Sequence, residues 1–335
     1  MTGTGPAVFA LAAGRDLGER IAGSLGVALM PLEERDFADG EHKGRPLVSV
    51  RRRDAYVVQS LHGDAGASVD DRLVRLLFFC GTLRDSGAAS VTVVTPYLGY
   101  ARKDRRTMPR DPVTSRYVAE LIEAMGVDAV VAMDVHNPAA FENAFRCRAE
   151  HLEARALIVR HLAATVGGDP VAVVAPDAGG VKRAGALRTA LAEALGAPVT
   201  SAYAEKARSG GVVTGDLFAG DVRGRVAVIV DDMISTGTTI VRTARRCREG
   251  GATAVIAAAT HAVFAEGADD ALADPAITGV VVTDTVAPRP LRGPAAARVT
   301  VLDTAPFLAE AIRRLHEGGS LVELNARGPG PVAAP

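Results

Sequence analysis

The chain has 335 residues, which favours two domains over one, since a single domain averages roughly 150 residues. Hydrophobic residues make up 48% of it and charged residues 23%, and this balance excludes wholesale disorder and collagen-like repeats. A formal charge of -1, from 38 basic and 39 acidic residues, argues against a dedicated binder of nucleic acid or anionic membranes, because binding to phosphate groups in bulk needs a surplus of Lys and Arg.

Short Val-rich runs recur along the chain and predict strands. They do not alternate polar and apolar residues, so each strand is expected to be buried on both faces, as in a parallel sheet. The runs are DAYVVQS (54–60), SVTVVTP (90–96), DAVVAMDVH (128–136), VAVVAPD (171–177), RVAVIVDD (225–232) and ITGVVVTDT (277–285).

Amphipathic helical patterns lie between and after these strands, with apolar residues at the spacing of one buried helix face. They comprise Leu73, Leu76, Leu77 and Cys80, then Val118, Leu121, Ile122 and Met125, then Ile240, Ala244 and Cys247, and finally Phe307, Leu308, Ala311, Ile312 and Leu315. The alternation predicts an α/β fold in two blocks, roughly 1–150 and 155–304, with sites at the carboxyl ends of the strands.

Three features of the sequence indicate the cellular compartment of the protein. The start of the chain has no basic region before its short apolar run, and the longest apolar stretches are too short and too polar to span a bilayer. Cys80, Cys147 and Cys247 have no partner at metal-site spacing, so reduced thiols are expected. We therefore expect a cytoplasmic enzyme with no membrane partner.

The segment VAVIVDDMISTGTTIV (226–241) carries the most specific chemical signal. A buried strand is predicted to end in Asp231 and Asp232, and a loop rich in Thr then opens a helix. The unpaired N–H groups of residues 236–239 would form an anion pocket, and Gly237 permits a close backbone approach. The hydroxyls beside this pocket are those of Ser235, Thr236, Thr238 and Thr239.

The two carboxylates indicate what else binds at this loop. Acids beside a phosphate repel it unless they face sugar hydroxyls or a metal ion, so a phosphate and a vicinal diol together describe a pentose phosphate. The loop is not a Walker A motif, because it lacks the Lys and the second Gly. The alternative is structural: Asp231 and Asp232 would cap a turn, and the Thr residues would cap a helix.

DDMISTGTT resembles the phosphoribosyl-diphosphate motif of the type I phosphoribosyltransferase fold, and further segments resemble one family, ribose-phosphate diphosphokinase (phosphoribosyl pyrophosphate synthetase). These segments are FADGE (37–41), PYLGYARKDRR (96–106), MDVHNPAAFENAF (133–145), PDAGGVKRA (176–184) and LAEAIRRLHEGGS (308–320). The resemblance covers about residues 7–322, in order.

The resemblance implies two tandem domains of the type I phosphoribosyltransferase kind, each a mainly parallel sheet flanked by helices. We expect residues 1–152 to form the first, with a helix at 305–322 packing back on it, and residues 153–304 to form the second. Residues 323–335 are rich in Gly, Pro and Ala and are expected to be disordered.

The family reaction transfers the diphosphoryl group of ATP to the anomeric hydroxyl of ribose 5-phosphate and releases AMP. By resemblance, Asp231 and Asp232 bind the ribose hydroxyls, and Ser235, Thr236, Gly237, Thr238 and Thr239 bind the 5-phosphate. His136 and Asp177 match the family's site for Mg²⁺ and the ATP phosphates. Asp177 suits Mg²⁺ better than His136 does, because Mg²⁺ prefers oxygen ligands.

Lys206 and Arg208 match the catalytic Lys and Arg of the family. They lie in SAYAEKARSGGVVTGD (201–216), a polar stretch predicted to connect two strands as a mobile lid. Cations carried by such a lid would neutralise charge in the transition state. A solvated basic loop is the alternative on the residues alone.

For ATP, the family match indicates the FADGE residues Phe37, Asp39, Gly40 and Glu41, together with Arg102 and Lys103. Phe37 would stack on adenine, and the two acids would accept from its amine. In the family these residues reach a neighbouring subunit's site, which implies a homo-oligomer, a hexamer of dimers, whose ligands are small molecules and not nucleic acid.

Three departures from the family pattern concern Lys103, Ser235 and Thr238, where Gln, Asp and Gly are common. Met108 and Pro109 also break a pattern in the family's regulatory loop, which puts regulation by phosphate or ADP in doubt. Two other functions stay open, a nucleobase phosphoribosyltransferase and a non-catalytic regulatory paralogue.

Overall fold

The computed structural model describes residues 5–209 and 212–330, with the side chains of residues 205–217 left outside that description. The chain divides into two compact units. Unit 1 comprises the described residues up to Glu153 together with those from Thr304 onward, and unit 2 is Ala154–Asp303. None of the helices in the described ranges combines the length and the apolar character that a membrane span requires.

The first segment of unit 1 alternates strands and helices. In chain order its elements are β1 (Ala7–Ala10), α1 (Arg15–Leu25), β2 (Leu32–Asp36), β3 (His42–Pro46), β4 (Asp54–Val58), α2 (Val69–Asp85), β5 (Ser90–Val94), α3 (Thr114–Ala124), β6 (Ala129–Met133), α4 (Pro138–Ala144) and β7 (Arg148–Leu152). Among the described residues, one parallel sheet has the order β1-β4-β5-β6-β7, and β2 and β3 form a separate antiparallel hairpin. Consecutive residues, which point to opposite faces of a strand, are fully buried in this sheet (Val57 and Val58 on β4, Val93 and Val94 on β5), which confirms the prediction of strands covered on both faces.

Unit 2 follows the same alternation. Its elements are α5 (Arg155–Thr165), β8 (Val171–Ala175), α6 (Val181–Leu195), β9 (Val199–Ser209), β10 (Val212–Gly220), β11 (Val226–Ile234), α7 (Thr238–Glu249), β12 (Ala254–Ala262), α8 (Ala268–Leu272), β13 (Gly279–Thr283), α9 (Gly293–Ala296) and β14 (Val299–Leu302). The described strands form one sheet in the order β10-β9-β8-β11-β12-β13-β14. Only the β9–β10 pair in it is antiparallel, so the predicted α/β class with mainly parallel sheets is confirmed.

The order of five parallel strands repeats between the units. In unit 1 it is β1-β4-β5-β6-β7, and in unit 2 it is β8-β11-β12-β13-β14. In each unit an antiparallel hairpin, β2–β3 or β9–β10, lies in the chain between the first and second of these strands. This repeat is the pattern that an internal duplication would give, and it makes α2 and α7 equivalent helices.

The polar stretch at 201–216 is a correction to the sequence prediction. It is not a connection between strands, because most of it is the paired strands β9 and β10 themselves. β8 pairs with β9 only as far as Tyr203, and beyond that residue β10 is the one described strand that pairs with β9. A hairpin arm of this kind needs few apolar residues, so its sequence gives no strand signal.

The end of the chain is a second correction. Helix α10 (Ala305–Glu317) packs against α1, and α11 (Leu321–Arg327) follows it, although residues from 323 onward were expected to be disordered. Ser320 caps α11 by accepting from Glu323 N, and Leu324 is fully buried. The Asn325 side chain binds Glu153 N at 3.0 Å and His151 O at 2.9 Å, so polar contacts hold the helix in place where composition suggested none.

Candidate active site

The carboxylate pair lies on β11 near its carboxyl end. β8 pairs with β11 only as far as Ile229, whereas β12 pairs with β11 through Ile234. Asp231 and Asp232 therefore lie within the strand but beyond the β8 pairing, and the prediction that the strand ends at Asp232 is wrong by two residues. The longer β12 sustains β11 at this point.

Burial makes this pair electrostatically unusual. Asp232 is 4% exposed, and its backbone N donates to Asp231 Oδ1 at 2.9 Å. Burial raises the pKa of the Asp231 carboxyl well above its usual range, and the neighbouring Asp232 carboxyl raises it further. Sugar hydroxyls are suitable ligands for this pair, because a diol can donate hydrogen bonds to its buried carboxylate oxygens.

Arg183 is a candidate site residue that the sequence analysis did not identify. Its Nη1 lies 3.6 Å from Asp231 Oδ1 and 3.9 Å from Asp232 Oδ1. It extends from the first turn of α6, inside the PDAGGVKRA segment. It follows Asp177 by six residues, across the short 3-10 turn that precedes α6. Its guanidinium offsets part of the carboxylate charge, and its effect on the pKa of Asp231 opposes that of burial.

The phosphate loop, residues 235–239, follows β11 and opens α7. Gly237 has φ +77° and is the N-cap residue of α7, so no side chain occupies the cap position. A Cβ at Gly237 would lie 2.9 Å from Ala271 Cβ, which makes glycine necessary on steric grounds as well. The Oγ1 atoms of Thr236 and Thr238 lie 3.1 Å apart at the mouth of the loop. The N–H groups of the first turn are thus left for an anion.

Asp177 follows β8, the strand beside β11. Its Oδ1 accepts from Gly180 N at 3.0 Å, which caps a short 3-10 turn, and the side chain is exposed. Within the described ranges, no group of three or more His, Cys, Asp or Glu side chains could hold a metal ion by itself. Mg²⁺ usually keeps several waters and binds one or two carboxylates together with substrate phosphates, so an exposed carboxylate such as Asp177 fits this ion.

In unit 1 the structure brings two predicted segments together. Asn137 Nδ2 donates to Asp104 Oδ2 at 2.6 Å, which joins the residue after His136 to the residue after Lys103. Asn137 also caps α4 by accepting from Ala140 N. The exposed side chains of His136, Arg102 and Lys103 therefore belong to two linked loops at the carboxyl ends of β5 and β6.

The backbone of the Arg102 loop is fixed by specific contacts. Tyr100 has φ +63°, and its hydroxyl binds the Asp70 carboxylate on α2. A Cβ at Gly99 would lie 2.7 Å from the Leu61 carbonyl oxygen, so the loop packs closely against the segment after β4. Ser115 N and Oγ both donate to the Lys103 carbonyl. These contacts orient a cationic loop of the kind that binds phosphates.

The FADGE residues form the tip of the β2–β3 hairpin. Phe37 N donates to Glu41 O at 2.8 Å, Glu41 N donates to Asp39 Oδ1 at 3.2 Å, and Gly40 has φ +92°. All of these residues are exposed, and Arg35 lies over the Phe37 ring with its Cζ 5.1 Å from the centroid. The backbone at the tip is thus a tight turn, and the aromatic and acidic side chains remain accessible.

Lys206 and Arg208 lie on β9, where their backbones pair with Asp216 and Val213 of β10. Their side chains are outside the described part of the chain.

Comparisons with known proteins cover almost the whole chain. Residues 7–126 match the family model described as the N-terminal domain of ribose phosphate pyrophosphokinase, and residues 214–325 match the model of the phosphoribosyl synthetase-associated domain. The ribose-phosphate pyrophosphokinase of Gloeobacter violaceus is 38% identical over 315 residues, which cover 94% of this chain and 91% of the relative. That of Streptomyces coelicolor is 34% identical, with 92% of each chain covered.

A solved structure is similar along nearly all of its length. The phosphoribosylpyrophosphate synthetase of Mycobacterium smegmatis superimposes with a TM-score of 0.83 at 34% identity, covering 93% of this chain and 99% of that one. The similarity confirms the fold class that the motifs predicted.

Proposed function

Because the chain belongs to the ribose-phosphate pyrophosphokinase family, we propose that it transfers the diphosphoryl group of ATP to the anomeric hydroxyl of ribose 5-phosphate. The products are phosphoribosyl diphosphate and AMP. One observation carries the proposal: the carboxylates of Asp231 and Asp232 precede an α7 N-terminus whose cap residue, Gly237, has no side chain. This arrangement supports a diol acceptor and an anion site on one strand–loop–helix junction.

The acceptor is bound by unit 2. Asp231 and Asp232 accept hydrogen bonds from the ribose hydroxyls, and Arg183 keeps the net charge of the pair low enough for a phosphate to bind nearby. The 5-phosphate binds the first-turn N–H groups of α7 and the adjacent hydroxyls. The binding residues of this loop are Ser235, Thr236, Gly237, Thr238 and Thr239.

ATP is bound through the unit 1 loops. Phe37 stacks on adenine while Asp39 and Glu41 accept from its amine, and Arg102 and Lys103 bind the phosphates. Exposure of the hairpin tip is consistent with a site that a neighbouring subunit completes, so we propose a homo-oligomer.

The chemistry is a single displacement at phosphorus. The anomeric oxygen bonds to the β-phosphorus, and the bond from that phosphorus to the oxygen bridging it to the α-phosphorus breaks, so AMP leaves with the bridging oxygen. Lys206 and Arg208 neutralise the charge that develops on the transferred group. Mg²⁺, bound with the ATP phosphates, would supply further charge neutralisation, and Asp177 and His136 are each candidate residues for holding it.

Product analysis tests this function. The protein is incubated with ATP, ribose 5-phosphate and Mg²⁺, and the products are identified by phosphorus NMR. We expect AMP and a diphosphorylated sugar. ADP would indicate transfer of one phosphoryl group, and base-dependent release of diphosphate from supplied phosphoribosyl diphosphate would indicate a nucleobase phosphoribosyltransferase. Absence of turnover would favour a regulatory paralogue.

The role of Lys206 has its own test. We expect Lys206→Ala to lower turnover about 100-fold or more, because it removes a cation that acts mainly in the transition state, while ATP affinity changes only a few-fold. The control is Lys206→Arg, which keeps the charge and should retain more activity. Turnover and the Kd of ATP are measured for both, and unchanged turnover in Lys206→Ala would remove this residue from the mechanism.

A further inference from the structure

A short turn follows β12, at residues 263–267, and its backbone forms hydrogen bonds with the end of β11 and the start of the phosphate loop. Phe264 N donates to Ile234 O at 3.0 Å, and Ala265 N donates to Ser235 O at 3.1 Å. We call these residues the support turn. Because its two N–H groups bind the last residue of β11 and the first residue of the phosphate loop, the position of the turn determines where that loop begins.

The support turn is conformationally strained. Phe264 has φ +35°, in the left-handed region that a bulky aromatic residue rarely adopts, and its side chain is 2% exposed in the core of unit 2. Such a backbone is unfavourable for a residue with a side chain and persists only where surrounding contacts hold it. The contacts that hold Phe264 are therefore candidates for a role in the site.

Arg289 supplies those contacts. Its Nε donates to Phe264 O at 2.6 Å, and its Nη2 donates to Ala265 O at 3.2 Å and to Asp269 Oδ2 at 2.6 Å. The second oxygen of Asp269 accepts from Arg292 N at 2.7 Å, so the acid that orients the guanidinium is itself fixed. Arg289 beside Asp269 also holds the pKa of that carboxyl below its usual value, so the ion pair is charged at neutral pH.

We propose that Arg289 is a positioning residue for ribose 5-phosphate. It binds both carbonyls of the strained turn whose N–H groups bind Ile234 and Ser235, and it thereby sets the geometry of the phosphate loop without touching the substrate. This inference rests on the proposed function of the same site. A shift of the loop by about 1 Å would weaken phosphate binding, because the N–H donors act only when aimed at the anion.

Unit 2 offers a matched control in the last turn of α7, at the opposite end of that helix from the phosphate loop. Arg248 also binds main-chain carbonyls, with Nε on Ala276 O at 3.1 Å and Nη1 on Ala252 O at 3.2 Å and Thr253 O at 2.5 Å. Residues 252 and 253 immediately precede β12, so these bonds lie at its amino end, away from the phosphate loop. Loss of Arg248 removes a similar set of bonds and should lower stability without altering the site.

The test is calorimetric titration of ribose 5-phosphate into the full chain without ATP, alongside steady-state kinetics. We expect Arg289→Ala to raise the Kd and the KM for ribose 5-phosphate about tenfold, with the KM for ATP within twofold. Arg289→Gln keeps one neutral donor at that position and should raise the Kd about threefold. Arg248→Ala should lower Tm but leave the Kd of ribose 5-phosphate unchanged.

The outcomes separate this inference from the function on which it rests. A wild-type protein that binds ribose 5-phosphate, with Arg289→Ala and Arg289→Gln binding it equally well, would overturn the positioning role alone. A Kd raised as much by Arg248→Ala would overturn it too, since the effect would then reflect stability. If Arg289→Ala does not fold, Arg289→Gln decides the question. A wild-type protein that binds no ribose 5-phosphate would overturn both proposals.

Discussion

At the scale of single residues, Asp231 shows a conflict between stability and the proposed function. Its carboxyl is largely buried beside a second carboxyl, and Arg183 Nη1 lies 3.6 Å from Asp231 Oδ1 and 3.9 Å from Asp232 Oδ1. Burying like charges together costs folding free energy, and a site that binds a diol gives a reason to retain them.

We expect Asp231→Asn to stabilise the protein at high pH. The raised pKa means that ionisation of Asp231 is unfavourable in the folded state. The carboxyl of the unfolded chain ionises at about pH 4, so the protein loses stability as the pH rises from there to the raised pKa of the folded state. The variant should melt higher than the wild type at pH 8, by about 2–4 °C for each kcal/mol regained, and equally at pH 4. Its kcat/KM for ribose 5-phosphate should fall on the order of 10–100-fold. A lower Tm at pH 8 would contradict this account.

The sequence identified the residues of this site that lie close together in the chain. Asp231, Asp232 and Gly237 belong to one strand–loop–helix junction, so their spacing alone indicates a shared site. Arg183 and Arg289 reach the same junction from other elements, and no spacing rule connects a long side chain to a carbonyl or carboxylate that only the fold brings near.

At the scale of elements, the equivalent helices α2 and α7 begin differently. α2 has a full capping box, with Asp71 N donating to Ser68 Oγ at 3.1 Å and Ser68 N donating to Asp71 Oδ2 at 2.8 Å. α7 begins at Gly237, which has no side chain to cap it. The donors of α2 are thus satisfied beside an acid that repels anions, whereas those of α7 are open, so the comparison favours α7 as the phosphate site.

We expect Gly237→Ala to abolish most binding of ribose 5-phosphate. The 2.9 Å approach to Ala271 Cβ should cost about 1–3 kcal/mol in addition to the strain that an alanine carries at a φ of +77°. The control is Gly224→Ala, at φ +66° with nothing within 4 Å of its Cβ, which carries the strain of about 1 kcal/mol alone. Urea unfolding and titration compare the two, and equal effects would show that the close contact is unimportant.

We expect the protein to lose stability in acid because of a buried histidine, His62, in the segment between β4 and α2. His62 is 5% exposed, and burial, with the neighbouring Arg72, lowers its pKa to about 4. Arg72 donates to the His62 carbonyl at 2.6 Å and pairs with Asp64. The charge of Asp64 raises the pKa of His62, but this effect is smaller than those of burial and Arg72. The unfolded histidine takes up a proton near its model value of 6.5, so stability is lost as the pH falls from 6.5 to about 4.

His62→Gln should reduce this loss. The variant replaces the ring with a side chain that does not titrate, so the free energy of unfolding at pH 5 should approach its value at pH 7 more closely than in the wild type. Urea unfolding at the two pH values measures the difference. The same acid loss in both proteins would contradict this account, because the loss would then not come from protonation of His62.

Periodicity identified the central elements but not those at the margins. β4, β5, β6, β8, β11 and β13 are buried on both faces and were predicted from their Val-rich runs. β9 and β10 were not, because their outer part forms an arm paired only within itself among the described strands. Helix α11 was missed since one buried residue, Leu324, and a bonded Asn325 replace an apolar face.

At the scale of the whole molecule, one strand order occurs in both units, and the loops at the strand ends differ. In unit 1 the loops after β5 and β6 carry Arg102, Lys103 and His136, and in unit 2 the junction after β11 carries the carboxylate pair.

The central claim is that unit 2 holds the phosphorylated sugar, and a crystal structure with ribose 5-phosphate bound tests it most directly. The account predicts the 5-phosphate on the first-turn N–H groups of α7 and the ribose hydroxyls on Asp231 and Asp232. Phosphate density on the basic loop at 102–110 instead, with the carboxylate pair unliganded, would contradict it.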